Sequence, residues 1–270
     1  MILDIRNYLH TPLQRGAYRV LGPLLEKSLG LRGLDDIYTQ ASEIQQQHPD
    51  GITCFSWFDS VVKAMNVHSD VVIPPDFEFP QKGPLVIIAN HPYGILDPVL
   101  LAQYAAKHRP ELKVMTNSVL ETFPALRPHI IAVNPFGGKA AARSNIAAMK
   151  TAIEHLKSGG ALVIFPAGEV AGYRPGSGIL EPEWSNHVGS LVRRTKATVL
   201  PIFFPGSNST LFHTAGLLHP RLRTGLLLRE FCKQRDSKIE MRVGTPIPFG
   251  KLRKFEDDEA LTKYLRIHTF

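Results

Sequence analysis

From Leu85 onward the chain alternates short apolar runs with amphipathic stretches, and this rhythm restricts its fold more than any other feature. The runs are LVIIA (85–89), KVMT (113–116), HIIAV (129–133), ALVIF (161–165), TVLPIF (198–203) and KIEMRV (238–243). Each has strand length, and some are apolar throughout, as strands covered on both faces are. Between two of them Ile146, Met149, Ile153 and Leu156 recur at three- and four-residue steps, which predicts one face of a helix. Strands alternating with helices predict an α/β fold with a mostly parallel central sheet flanked by helices.

Upstream the pattern differs. Residues 1 to about 70 read as helical, with apolar positions at Tyr18, Leu21, Leu24 and Leu25 and again at Phe55, Phe58, Val61, Val62 and Met65. The Pro-rich passage VVIPPDFEFPQKGP (71–84) reads as an extended connection. The expected division is an N-terminal helical segment with its linker over 1–83 and a main domain over 84–270.

At 270 residues, 44% hydrophobic and 20% charged, the chain can bury a full core. Its net charge of +7 favours nucleic acid, anionic lipid headgroups or an acidic substrate, without choosing among them. Cys54 and Cys232 stand far apart, outside any metal-ligand spacing, and read as reduced thiols. The first twenty residues carry charges where a signal peptide needs an apolar stretch, and no run approaches the roughly 20 apolar residues that cross a bilayer. The expectation is a protein with no signal peptide and no transmembrane helix.

In parallel sheets the working residues sit on loops at the carboxyl ends of strands. Two unusual loops follow strand runs here. In NHPYGILDP (90–98), His91 comes directly after LVIIA and Asp97 six positions later. Histidine suits proton transfer near neutral pH, and a carboxylate on its other nitrogen fixes its tautomer. On spacing alone a second reading stays open: Asp97 before Pro98 is also a good helix cap, and His91 a strand-end histidine. In VIFPAGEVAGYRPGSG (163–178) a strand runs through Phe165 and Pro166 into Gly168 and Glu169. That glutamate either faces a polar substrate group or is a surface residue beside a turn. In NPFGGKAAARSN (134–145), Gly137 and Gly138 permit close backbone approach, and Lys139 and Arg143 add charge near a helix start expected at about Ala140. A plain Gly-rich turn explains the same string. In VLPIFFPGSNSTLF (199–212), Pro201 marks an edge, a bulge or a pocket wall.

These four segments, in this order, resemble the lysophospholipid (glycerolipid) acyltransferase superfamily. The chain looks most like its hemolysin-like bacterial branch, similar to lyso-ornithine-lipid and 1-acylglycerol-3-phosphate acyltransferases. NHPYGILD matches the family's Asn-His…Asp motif, PFGGKAAARSN its second block, IFPAGEV its third and VLPIFF its fourth, so the likeness spans roughly residues 84–212. The resemblance implies that His91 deprotonates an acceptor hydroxyl, Asp97 supports it, and the alcohol attacks an acyl-CoA or acyl-carrier-protein thioester directly. It further implies substrate contacts from Asn90, Gly94, Gly137, Gly138, Lys139, Arg143, Phe165, Pro166, Gly168, Glu169 and Pro201, with no metal and no cofactor. Five residues separate His91 from Asp97, the longer form that this branch shares. Val170 and Pro135 stand where the family commonly carries arginines associated with an acceptor phosphate, which favours an amino-acid-containing lysolipid.

Other enzyme classes fit less well. No Gly-x-Ser-x-Gly elbow of a serine hydrolase occurs, and GSG (176–178) lacks the third glycine of a dinucleotide site. A metal hydrolase on His91, Asp97 and Glu169 stays open. So does a non-catalytic lipid-binding protein of the membrane surface, supported by LVRRTK (191–196) and HPRLRTGLLLREF (219–231). In the latter, Leu222, Leu226 and Leu227 alternate with Arg221, Arg223 and Arg229, as in a helix lying on an anionic bilayer. Arg15 and Arg19, with Leu21, Leu24 and Leu25, form a second such candidate. No aromatic-basic interleaving points to nucleic acid. The sequence thus predicts an O-acyltransferase of membrane lipid biosynthesis, peripheral to the cytoplasmic face of a membrane. It would acylate a lysolipid hydroxyl, with backbone amides near the His motif polarising the thioester carbonyl.

Overall fold

The computed structural model describes residues 22, 26–48, 51–134 and 138–270. Arg15, Tyr18, Arg19, Leu21, Leu24, Leu25 and Gly137, all singled out above, lie outside the described residues, as do the side chains of Lys139 and Arg221. The described chain opens with two helices, α1 (Leu31–Gln46) and α2 (Cys54–Met65). A reciprocal cap starts α2: Thr53 Oγ1 accepts from the Ser56 amide at 3.0 Å, and Ser56 Oγ accepts from the Thr53 amide at 2.8 Å.

Then follow β1 (His68–Val72), β2 (Leu85–Ala89), α3 (Leu96–Ala106), β3 (Lys113–Asn117), β4 (Ile130–Val133), α4 (Gly138–Lys157) and β5 (Ala161–Ile164). A small hairpin, β6 (Gly172–Arg174) and β7 (Gly178–Leu180), precedes α5 (His187–Thr195) and β8 (Thr198–Phe203). The chain closes with α6 (Thr210–Leu218), α7 (Pro220–Lys233), β9 (Lys238–Val243), α8 (Phe249–Leu252) and α9 (Asp258–Ile267).

Seven strands form the main sheet in the order β1-β9-β8-β2-β5-β3-β4. The five from β8 to β4 run parallel, β9 is antiparallel to β8, and β1 is parallel to β9. All six expected runs are strands of this sheet. The passage 71–84 starts inside β1, where Val71 pairs with Met241, so its first residues are sheet edge as well as connection.

Every residue of β2 is buried, and its alternation sorts the helices into two layers. Leu85, Ile87 and Ala89 share a core with α1, α2 and α3, while Val86 and Ile88 share another with α4, α5 and α9. The N-terminal helices therefore belong to the same apolar interior as the sheet. On α4, Ile153 and Leu156 are buried as expected, together with Ala148 and Ala152, but Ile146 is 71% exposed. It sits at the rim of the buried stripe, and the alanines supply the close helix–sheet approach. Arg193 and Arg194 of α5 are exposed, and Arg193 pairs with Asp258, so that basic run is a solvated helix face. Both cysteines are free thiols. Burial pushes Cys54 up to about 12 and Cys232 up to about 11, which leaves them unreactive. Among the described residues no helix is long and apolar enough to cross a membrane.

Arg109 joins the approach to β2 to the approach to β5. Nearly fully buried, it donates to the carbonyls of Pro80 (3.0 Å), Gly83 (2.9 Å) and Gly159 (2.5 Å) and pairs with Glu111. Removing the guanidinium strands three carbonyls. Arg109→Met is expected to cost about 2–4 kcal/mol, read as a lowered midpoint in urea unfolding.

Candidate active site

The carboxyl ends of β2, β5 and β8 lie side by side, with Ile88 paired to Ile164 and Ala89 to Ile202. The residue after β2, Asn90, is buried and bonded twice to the Phe204 backbone. Its Nδ2 donates to the carbonyl at 2.8 Å, and its Oδ1 accepts from the amide at 2.7 Å. Asn90, expected to contact substrate, lines a cavity beside the loop, and it uses its amide to extend the β2–β8 ladder by one side-chain rung. The loop that follows is thereby held at a fixed distance from β8, and Tyr93 adds a second tie through its hydroxyl to the Pro205 carbonyl at 2.8 Å.

His91 Nδ1 lies 3.0 Å from Asp97 Oδ2. The same oxygen accepts from the amides of Tyr93 and Gly94, each at 2.9 Å. Asp97 is fully buried, and its other oxygen, Oδ1, has no hydrogen-bond partner among the described residues. Burial therefore holds this carboxyl above the usual carboxylate range, against the opposing pull of His91 and the two amides. The helix-cap reading of Asp97 needs correction. Asp97 lies inside the first turn of α3, and its carboxylate reaches back to fold the loop over itself instead of capping forward.

Gly94 makes that loop sterically accessible. Its φ of 83° is left-handed, and a Cβ there would stand 2.8 Å from Leu227 Cδ2 and 3.2 Å from Val170 Cγ2. The bare backbone there packs under two side chains.

The main chain of His91 is held from both sides. Its amide donates to Glu181 Oε1, and its carbonyl accepts from the Ala171 amide at 3.0 Å. Glu181 is buried at 6% exposure, and its Oε2 accepts from Trp184 Nε1 at 2.9 Å. Burial raises this carboxyl too, opposed by the Trp184 and His91 bonds. The imidazole leans on the Phe165 ring at 4.4 Å between centroids. With Nδ1 turned to a carboxylate, the ring presents Nε2 as its free base position. Beside this loop lies a cavity of about 580 Å³ whose walls include Asn90, Pro92, Glu181, Phe203, Phe204 and Phe270.

The remaining expected residues divide. Phe165 is at the site. Pro166 is buried, its carbonyl accepting from Ser185, and Gly168 makes the turn with a φ of 69°. Glu169 is exposed and pairs with Arg223 at 3.1 Å. Pro201 lies within β8 beside Ile88, its carbonyl accepting from Gly244 where β9 departs. Gly138 begins α4 and Arg143 is exposed on that helix. Glu181, Trp184, Arg223 and Leu227 reach the site without a motif to announce them. A lone glutamate in a loop carries no pattern, and Arg223 and Leu227 read only as helix surface. His91, Asp97 and Glu169 do not converge as a ligand set: Glu169 is turned to Arg223, and no such group occurs among the described residues.

A strand-end imidazole aligned by a buried carboxylate, with the opposite nitrogen open, defines a site for activating a hydroxyl nucleophile. Residues 66–204 match the family described as Acyltransferase, and the chain belongs to that family and is an acyltransferase. It is 26% identical over 194 residues to the lyso-glycine lipid O-acyltransferase of Phocaeicola vulgatus, covering 69% of this chain and 67% of that protein. Its fold is that of PlsC, the 1-acyl-sn-glycerophosphate acyltransferase of Thermotoga maritima. The TM-score is 0.51 at 18% identity, over 93% of this chain and 94% of that one.

Two outcomes follow from the buried carboxyls. Asp97→Asn keeps an oxygen for the Tyr93 and Gly94 amides but loses the charge facing His91. Its activity is expected to fall at least about a hundredfold while unfolding free energy stays within about 1 kcal/mol of wild type. Because burial raises Glu181, the folded state keeps a proton that the unfolded chain releases. Stability from this group is fullest below its ordinary value and is lost as pH rises toward the folded value. Relative to Glu181→Gln, wild-type stability in urea titrations should therefore decline as pH rises above the ordinary carboxylate range.

Proposed function

We propose that this acyltransferase moves a fatty acyl chain from an acyl-CoA or acyl-carrier-protein thioester to a lysolipid hydroxyl in membrane lipid biosynthesis. The observation that carries the reading is the Nδ1–Oδ2 pair of His91 and Asp97, with the imidazole leaning on the Phe165 ring. His91 Nε2 takes the proton of the acceptor hydroxyl as its oxygen bonds to the thioester carbonyl carbon. The imidazolium so formed is stabilised by Asp97. Collapse of the tetrahedral intermediate breaks the carbon–sulfur bond, and the departing thiolate receives the proton back from Nε2, leaving an ester and a free thiol. No step requires a metal or a cofactor.

Amide donors for the oxyanion were expected in the His motif. The amides of His91, Tyr93 and Gly94 are committed to carboxylates and Pro92 has none, so these positions of the loop hold the base in place.

The acceptor we favour is an amino-acid-containing lysolipid. Its support is the likeness to a lyso-glycine lipid O-acyltransferase and the identity of Val170, a buried aliphatic residue packed over the His loop. The protein would meet its substrates at the cytoplasmic face of a bilayer, and the α6–α7 hairpin is its docking edge. Leu227 and Arg223 turn toward the loops around Gly94, Val170 and Gly172 instead of outward, which narrows the bilayer-facing set expected from sequence. The outward apolar residues are Leu217, Leu218 and Leu222, the first two at 52% and 80% exposure. The net charge of +7 complements an anionic surface.

His91→Ala should abolish acyl transfer to lysolipid from either donor, with unchanged circular dichroism; retained transfer would remove the base from the mechanism. Paired substitution of Leu218→Asp and Leu222→Asp should reduce co-sedimentation with anionic vesicles at least about fivefold while sparing transfer to acceptor in detergent micelles.

A further inference from the structure

One face of α7 lies against the catalytic loops. Leu227 packs on the position of Gly94 and against Val170. Arg223, one helical turn earlier, points the same way. Its Nη2 is 3.1 Å from Glu169 Oε2, its Nη1 occupies the space a Cβ would need at Gly172, and its guanidinium lies over the Phe212 ring at 5.8 Å. Gly172 directly follows Ala171, whose amide holds the His91 carbonyl at 3.0 Å. The guanidinium is thus one residue removed from the backbone clamp of the base. The helix that carries it is fixed in turn: buried Glu230 accepts from the Ser209 amide at 2.9 Å and from its hydroxyl at 2.7 Å, tying α7 to the start of α6.

The two members of the Arg223–Glu169 pair differ in accessibility. The arginine side chain is 19% exposed, packed between a ring and a glycine, whereas the glutamate side chain is 67% exposed. An ion pair with so open a partner is worth little, and an incoming carboxylate can take the place of the glutamate at the guanidinium edge. The cation stays where it is. With Glu169 beside it the site offers one positive charge and one negative charge. That suits a singly charged headgroup and opposes a phosphomonoester dianion, which would meet Glu169 beside the Arg223 guanidinium.

We propose that Arg223 binds the acceptor's headgroup and selects lysolipids that end in a single carboxylate. In this arrangement the headgroup carboxylate lies along the guanidinium, displacing Glu169 outward, while the acceptor hydroxyl reaches His91 Nε2. The inference rests on the acyl-transfer reading above and names the acceptor class for that same site.

The test compares N-(3-hydroxyacyl)glycine, its methyl ester and lysophosphatidic acid as acceptors in detergent micelles, each with acyl-CoA and acyl-carrier-protein donors. Wild type should acylate the free acid at least about tenfold more efficiently than the ester. Arg223→Gln should raise KM for the acid by about tenfold or more with kcat within about twofold, and should no longer distinguish acid from ester. Arg223→Lys should recover part of that discrimination. Equal use of acid and ester by wild type, or an Arg223→Gln variant that still prefers the acid, overturns the proposal. Efficient acylation of lysophosphatidic acid alone overturns the carboxylate assignment and leaves the acyl-transfer reading standing. Failure of wild type to acylate any of the three with either donor overturns both.

Discussion

One carboxylate oxygen organises the active site. Asp97 Oδ2 gathers the His91 ring nitrogen and the amides of Tyr93 and Gly94, and through them sets both the direction of the base and the path of the loop that carries it. The arrangement is costly, since the carboxyl is wholly buried and its second oxygen has no partner among the described residues. That cost is offset by three donors converging on one acceptor. The proposed support of the base and the fold of its loop thus share one atom, and the seven residues from His91 to Asp97 build the core of the site.

The parts of this molecule that were legible in the sequence are those that local chemistry dictates. LVIIA reads as a doubly covered strand because Leu85, Ile87 and Ala89 serve one helical layer and Val86 and Ile88 the other. His91 and Asp97 were legible because a short loop brings them together. Ile146 misled because helical spacing says which residues share a face but not how far the sheet extends beneath it. Asn90 and Pro201 each lie in a recognisable block, but the block does not tell that one bonds the Phe204 backbone and the other is embedded in β8. Glu181, Arg223 and Leu227 were illegible since each reaches the site across more than fifty residues of chain, and nothing local marks a residue whose partner is so distant. The antiparallel placement of β9 likewise depends on pairing and not on its own pattern.

The α6–α7 hairpin gives the site its second wall. The inward side of α7 packs Leu227 on the loop glycine and sets Arg223 opposite Glu169, while the outward side and the end of α6 expose leucines. A basic and apolar helix that looks from sequence like a simple bilayer anchor therefore divides its residues between two tasks. Its position is enforced by buried Glu230, which holds the start of α6 through two bonds to Ser209.

The anchors of the base arrive late on the chain. His91 is joined to a carboxylate 90 residues further on, and its neighbour Asn90 to a backbone 114 residues further on. On a ribosome, the nascent chain would complete the His91–Asp97 loop long before either anchor had emerged from the exit tunnel. The framework that aims His91 in the proposed mechanism is therefore complete only once the eighth strand has been made. Unfinished chains carry His91 and Asp97 without the contacts that hold their loop.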